Sequence, residues 1–270
     1  MAAFLCNACG TQYPPSPSPP EACPICTDER QFIPASGQSW TTLEGLAKSH
    51  SNKFRRLAPG LMTIETTPPF AIGQRAILAR TPGGNVLWDC IALLDGATIE
   101  LLQGLGGLSA IAISHPHYYT TMAEWSRAFG GAPIHLHTAD REWVMRPDPA
   151  VRFWEGDTKP LGPGLTLVRL GGHFDGGTVL HWADWQDGRG VLLSGDILQV
   201  VPSGHVSFMY SYPNLIPLSG ATVRGMAALL EPFAFDAVYG SFSGRGQIDT
   251  GGKQAVAASV ARYVARLGDA

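Results

Sequence analysis

The chain has 270 residues, enough to bury a full hydrophobic core and to carry a small additional module. A formal net charge of -3, with 15% charged residues, offers no basic surface for nucleic acid or acidic membranes. No apolar run approaches the ~20 residues that span a bilayer, and the first residues lack the pattern of a signal peptide. We therefore expect a cytoplasmic protein that contacts neither nucleic acid nor membrane.

Two CxxC motifs lie near the N-terminus, separated by 13 residues: Cys6 and Cys9, then Cys23 and Cys26. Each motif places two thiolates on one tight turn, and two such turns complete a tetrahedral four-sulfur site. In a reducing compartment these cysteines are expected to bind metal and not to form disulfides. The spacing predicts a structural zinc ribbon over residues 1–37, stabilised by its metal, with rubredoxin-like iron as a minor alternative.

A second domain is expected over residues 38–270, joined to the ribbon by a helical linker at about 41–57. From about residue 60 the pattern alternates between strands and helices. Strands are predicted at 61–66, 74–80, 86–90, 109–113, 133–137, 165–170, 178–183, 191–194 and 237–239. Helices are predicted at 97–105, 118–129, 219–230 and 252–267. Residues 201–217 are expected to be an irregular loop. This alternation predicts a layered α/β sandwich.

Histidines gather where an apolar strand is followed by a predicted helix. His115 and His117 are one residue apart, so an extended backbone would project both from the same face. His173 lies between two pairs of glycines, which allow a sharp turn and close approach of a ligand. Asp196 follows a buried-strand pattern. Three imidazoles and one carboxylate form a site for a first-row metal.

A second pair with the same spacing, His135 and His137, lies inside an apolar strand. We expect at least His135 to be structural. The pair shows that HxH spacing alone is a weak signal, and that the metal hypothesis depends on the four positions taken together.

These motifs, in this order, resemble those of the metallo-β-lactamase superfamily, metal-dependent hydrolases that include glyoxalase II-like enzymes. The window from His115 to Thr120 resembles the HxHxDH motif of that family. Residues 172–177 resemble its histidine in a glycine-rich turn, 193–198 its bridging aspartate, and 85–89 its strand ending in aspartate. The resemblance implies a four-layer αββα sandwich after the zinc ribbon, with an active-site metal held by His115, His117, His173 and Asp196.

The sequence departs from that family at the second metal site. The Asp and the last His of HxHxDH are Tyr119 and Thr120 here. Ser241 and Phe242 stand where the family has a late histidine. Only Asp196 remains of the second site, so a single ion is expected: zinc, with iron or manganese as alternatives. Tyr119 would either fill the vacated space or assist catalysis by hydrogen bonding.

The expected function is that of a mononuclear hydrolase, in which metal-bound hydroxide attacks an ester, thioester, lactone or amide of a small-molecule substrate. Asp196 would hold the metal and accept a hydrogen bond from the water. His205, Tyr210 and Arg245 are the candidate substrate contacts. The alternatives are a mononuclear iron oxidoreductase resembling the persulfide dioxygenase group, and a non-catalytic binding protein. The ribbon offers a contact for a second copy or another protein.

Overall fold

The structure is a computed structural model that describes residues 1–244 and 246–268. It consists of two compact units. Unit 1 contains Met1–Leu136 and Asp140–Phe153, and unit 2 contains His137–Ala139 and the chain from Trp154 onward. None of the helices in the described part of the chain has the length and apolar character needed to span a bilayer.

Unit 1 is built around a seven-stranded sheet with the strand order β3-β4-β5-β6-β7-β8-β9. Its elements are β1 (Leu5–Cys6), α1 (Pro24–Thr27), β2 (Trp40–Thr41), α2 (Leu43–Leu46), β3 (Ser51–Ala58), β4 (Leu61–Thr67), β5 (Arg75–Thr81), β6 (Gly84–Trp88), α3 (Gly96–Gly104), β7 (Ala110–Ala112), α4 (Met122–Ala128), β8 (Ile134–His137) and β9 (Val151–Trp154). Short 3-10 helices span Pro116–Tyr118 and Thr138–Trp143.

The central strands of unit 1 determine where its candidate site residues lie. Strands β5 to β7 are buried along most of their length, as expected for short apolar runs with layers on both faces. Strands β6 and β7 are parallel, with Trp88 opposite Ala112. Their carboxyl ends therefore lie at the same sheet edge, which brings Asp89 next to Ser114.

Unit 2 contains a six-stranded sheet with the strand order β10-β11-β12-β13-β18-β19 and two separate two-stranded sheets. Its elements are β10 (Thr158–Gly162), β11 (Leu165–Arg169), β12 (Thr178–Trp182), α5 (Trp185–Gly188), β13 (Val191–Gly195), β14 (Gln199–Val201), β15 (His205–Ser207), β16 (Met209–Ser211), β17 (Ile216–Pro217), α6 (Gly220–Leu230), β18 (Ala237–Gly240), β19 (Gln247–Ile248) and α7 (Gly252–Leu267). An apolar cluster that includes Val168, Leu192, Val223 and Val256 forms the core of this unit.

The predicted helical linker over 41–57 is wrong. Only one helical turn forms there, at Leu43–Leu46, where the Thr42 side chain accepts a hydrogen bond from the Gly45 N–H. Ser51–Ala58 is instead strand β3, with Phe54 opposite Ile64 of β4. Pairing with a neighbouring strand outweighs the mixed polarity that suggested a helix, because strand preference depends on tertiary partners.

The predicted irregular segment over 201–217 is also more ordered than expected. Strands β14 and β15 pair antiparallel, as do β16 and β17. The ribbon segment 1–37 lies inside unit 1 together with the seven-stranded sheet. A domain boundary at residue 37 stays a prediction.

Candidate metal centres

Four cysteines of unit 1 form a buried sulfur cluster. Cys6, Cys9, Cys23 and Cys26 are all buried and carry free thiols. The Sγ atoms of Cys6 and Cys26 are 3.5 Å apart, and those of Cys9 and Cys23 are 3.7 Å apart. A zinc–sulfur bond of ~2.3 Å gives a tetrahedron with edges of ~3.8 Å, so these sulfurs are spaced for a tetrahedral ion.

Neighbouring polar side chains donate hydrogen bonds to the sulfur atoms of this cluster. Gln38 Nε2 donates to Cys6 Sγ at 3.1 Å, and Tyr13 Oη donates to Cys23 Sγ at 3.2 Å. Hydrogen bonds from the other cysteines lower the pKa of the Cys6 thiol and favour its thiolate. The hydrogen bond with Cys23 has the largest effect. Donor chemistry and spacing both fit a four-thiolate metal, as the spacing of the two CxxC motifs predicts.

His115 is supported by a short relay that begins at Asp89. Asp89 Oδ1 accepts a hydrogen bond from the Ser114 N–H at 2.7 Å. The Ser114 hydroxyl lies 2.9 Å from His115 Nδ1. Because Nδ1 is engaged, Nε2 is the His115 nitrogen placed to bind a metal. Asp89 has a positive φ of 60°, a conformation that Asp and Asn tolerate better than most residues.

His117 lies on a 3-10 turn and not on the extended strand that the HxH spacing suggested. His115 is extended, with φ -170° and ψ 170°, and Pro116 starts the 3-10 helix. The two imidazole centroids are 5.1 Å apart, and both side chains are buried. The helix predicted from residue 118 begins at Met122, because the chain first passes through Thr120 at a positive φ of 35°.

His173 lies in unit 2, in the turn between β11 and β12. Gly171 and Gly172 have φ values of 69° and 84°, which favour glycine. A Cβ on Gly172 would come within 2.8 Å of Leu218 Cδ1, so the turn also needs a small residue. His173 Nδ1 donates to the backbone oxygen of Tyr210 at 2.7 Å. This bond fixes the tautomer and leaves Nε2 as the metal-binding nitrogen.

The four predicted ligands are divided between the two units. His115 and His117 are buried in unit 1, and His173 and Asp196 are buried in unit 2. Three imidazoles are a typical donor set for catalytic zinc. Asp196 lies in the turn after β13, where its backbone oxygen accepts a 2.5 Å hydrogen bond from Tyr212 Oη.

The residues that the sequence places where the resembled family has second-metal ligands are buried. Tyr119 belongs to the apolar cluster of unit 1, and burial raises the pKa of its hydroxyl, with a further contribution from Asp140. This position favours space-filling, and a catalytic role for Tyr119 stays a prediction. Thr120 and Ser241 are also buried. Neither residue type is a common ligand for zinc.

The three candidate substrate contacts differ in their surroundings. His205 is half-buried on β15, and its ring bonds to the neighbouring Ser203. Tyr210 contributes its backbone oxygen to His173, while its ring packs against the apolar cluster of unit 2. Arg245 lies outside the described residues. Their roles in substrate binding stay predictions.

Sequence reasoning missed the supporting residues of this site. Ser114, which contacts His115, was not a candidate, and Tyr212, which contacts Asp196, was considered only as part of a loop near the substrate. Tyr212 is distant in sequence from its partner, so only the fold brings the two together. Ser114 directly precedes His115, and a hydroxyl next to a predicted metal-binding histidine is a signal that could have identified it.

A close relative at the sequence level is the uncharacterized protein YmaE of Bacillus subtilis (strain 168). It is 47% identical to this chain over 270 residues, covering 99% of this chain and 97% of YmaE. The chain belongs to the YmaE family. No protein-family model matches the sequence.

Solved structures similar to this member of the YmaE family show the metallo-β-lactamase fold. VMB-1 matches with a TM-score of 0.59 and 10% identity, covering 80% of this chain and 98% of VMB-1. DIM-1 metallo-β-lactamase matches with a TM-score of 0.56 and 12% identity, covering 77% and 98%. A metallo-β-lactamase from Cronobacter sakazakii matches with a TM-score of 0.51 and 20% identity, covering 80% and 97%. The chain therefore has the metallo-β-lactamase fold, as its motifs predict.

Proposed function

We propose that this protein is a mononuclear metal-dependent hydrolase acting on an ester, thioester, lactone or amide of a small molecule. The observation that carries the proposal is the buried pair His115 and His117, whose ring centroids are 5.1 Å apart and which we propose binds the ion together with His173. The metallo-β-lactamase fold supports it, since the similar structures include metallo-β-lactamases. We propose one zinc ion at the histidines and a structural zinc at the cysteines.

The chain's own residues would orient the ligands of such an ion. A zinc ion bound there would polarise a substrate carbonyl and lower the pKa of a bound water to ~7. Ser114 and the Tyr210 backbone oxygen hold Nδ1 of His115 and His173, which leaves Nε2 of each ring for the ion. The Asp196 carboxylate would accept a proton or hydrogen bond from the attacking water. Tyr119 and Thr120 add no second-metal ligands, so one ion is expected.

The proposal is tested with His117→Ala and the matched control His135→Ala, because the control removes a half-buried histidine of the same HxH spacing. Metal content and hydrolysis of p-nitrophenyl esters, thioesters, lactones and amides are measured. His117→Ala should lose one metal per chain, keep the other, and lose activity by more than the ~10–100-fold typical of outer-shell changes. His135→Ala should retain both metals and activity.

Two results would contradict the proposal. One is a His117→Ala protein that still holds two metals. The other is a wild-type protein that holds iron at the histidines and hydrolyses none of the substrates, which would favour an oxidoreductase.

A further inference from the structure

We propose that Gln12 of the zinc ribbon is a positioning residue for the turn that carries His115 and His117. Through it, the four-cysteine site is coupled to the histidine site. The inference rests on the proposed function in one respect, that the histidines bind a metal. Every contact that carries it lies within unit 1.

The ribbon touches the chain three residues after His117. The Gln12 N–H donates to the backbone oxygen of Thr120 at 3.1 Å. Gly10 faces the same residue, since a Cβ added there would lie 3.4 Å from Thr120 Cγ2 and 3.3 Å from Ala92 Cβ. Gly10 has a φ of 79°, so both conformation and space favour glycine at this contact.

Thr120 is a residue whose conformation needs outside support. It is β-branched, 4% exposed and held at a φ of 35°. Among the described residues its Oγ1 has no hydrogen-bond partner. Such a conformation persists only where the surrounding structure enforces it. The ribbon bond to the Thr120 oxygen is one of the contacts that does so.

The side chain of Gln12 is linked to the helix that follows the histidines. Gln12 Oε1 accepts a hydrogen bond from Arg146 Nη1. The same nitrogen donates to Glu124 Oε1 of α4 at 2.5 Å. Arg146 is only 9% exposed, so these charged contacts are shielded from water and strongly directional. Gln12 therefore holds both the turn at Thr120 and the start of α4.

The four-cysteine site in turn fixes Gln12. Gln12 comes three residues after Cys9, and the Sγ of Cys9 lies 3.2 Å from Thr11 Oγ1. The Cys6 N–H donates to the Thr11 backbone oxygen at 3.0 Å. A metal holding Cys6 and Cys9 would therefore fix the position of Thr11, the residue directly before Gln12. In the HxHxDH motif that this segment resembles, Thr120 stands at the position of the last histidine, so the ribbon contacts the turn within the motif itself.

The test compares full-length wild type with Gln12→Ala, Arg146→Met and the double variant. Glu21→Ala, at an exposed ribbon position, is the matched control. The probe is cobalt(II) in competition with a chelator. Thiolate-bound and imidazole-bound cobalt differ in absorption, so both sites are followed in one sample.

We expect each single variant to keep its thiolate-bound cobalt and to bind the histidine-site cobalt more weakly. The weakening should be about 5–150-fold, the range typical of coupling between two sites. The double variant should match Arg146→Met, because Arg146→Met already removes the Gln12–Arg146 contact that Gln12→Ala removes. Gln12→Glu, which keeps an acceptor for Arg146, should rescue the affinity, and Glu21→Ala should match wild type.

Unchanged histidine-site affinity in Gln12→Ala and Arg146→Met, with the thiolate signal intact, would overturn the coupling. The readout is metal affinity and not hydrolysis. The two proposals therefore fail separately: absence of hydrolysis in wild type contradicts the proposed function, and unchanged affinity in these variants contradicts the coupling.

Discussion

At the residue scale, the candidate metal ligands His115 and His117 lie next to residues whose backbone conformation is unusual. Asp89 combines a φ of 60° with a carboxylate that accepts the Ser114 N–H. It thereby fixes the residue that contacts His115 Nδ1. A side chain that favours the left-handed region and also accepts a hydrogen bond is needed here, and Asp and Asn meet both conditions.

This role predicts a difference between Asp89→Ala and Asp89→Asn. Alanine loses the acceptor and raises the cost of the positive φ, so the free energy of unfolding should fall by about 2–4 kcal/mol. Asparagine keeps an oxygen acceptor and tolerates the conformation, so its loss should be clearly smaller. Urea unfolding of both variants measures the difference. Equal destabilisation would show that neither the positive φ of Asp89 nor its hydrogen bond with Ser114 accounts for the loss of unfolding free energy.

At the residue scale, some site residues could be predicted from the sequence and others could not. The four cysteines and three histidines could be predicted, because a CxxC motif places two thiolates on one turn and the histidines stand in recognisable turns. A role for Asp196 as a metal ligand stays a prediction. Its place depends on how the turn after β13 is held, including the bond from Tyr212, which no local pattern encodes.

At the element scale, the start of α4 is fixed by contacts with the loop after β6. The Thr121 hydroxyl donates to the backbone oxygen of Ala92 at 2.9 Å, with the Ile91 oxygen at 3.2 Å. Trp125 Nε1 also donates to the Ile91 oxygen, at 3.0 Å. These bonds join the helix after the histidines to the loop that begins at Asp89, directly after β6.

Thr121→Val tests this attachment. Valine keeps the shape of threonine but cannot donate, so the buried Ala92 oxygen would lose its Thr121 partner, at a cost of about 1–3 kcal/mol. Thr121→Ser keeps the hydroxyl and should lose less. Unfolding free energies of the two variants, measured at equal metal content, give the comparison. A valine variant as stable as wild type would show that the Thr121 hydrogen bonds do not hold the start of α4.

Elements with strong local patterns were predicted within a few residues, among them β5 and α7. The errors occur where contacts with distant parts of the chain determine the secondary structure. Strand β3 has mixed polarity and is a strand because β4 pairs with it. The helix predicted from residue 118 starts at Met122 because the Thr120 turn intervenes, and a positive φ at threonine cannot be predicted from local preference.

At the scale of the whole molecule, we propose two metal sites of different chemistry in one chain. The four cysteine sulfurs are spaced for a tetrahedral ion. Three imidazoles are a typical donor set for catalytic zinc. The fold was predictable because its motifs occur in order along most of the chain. The contacts between ribbon and histidine turn were not, because Gln12 and Thr120 are more than a hundred residues apart.

The central claim is that the chain holds one ion at the cysteines and one at the histidines. The most direct test is metal analysis of the full-length protein purified without added metal, combined with the absorption spectrum of its cobalt(II)-substituted form. The account predicts two ions per chain, one with thiolate charge-transfer absorption and one without it. A single ion with only the thiolate signature would contradict the account, because the histidine group would then not be a metal site.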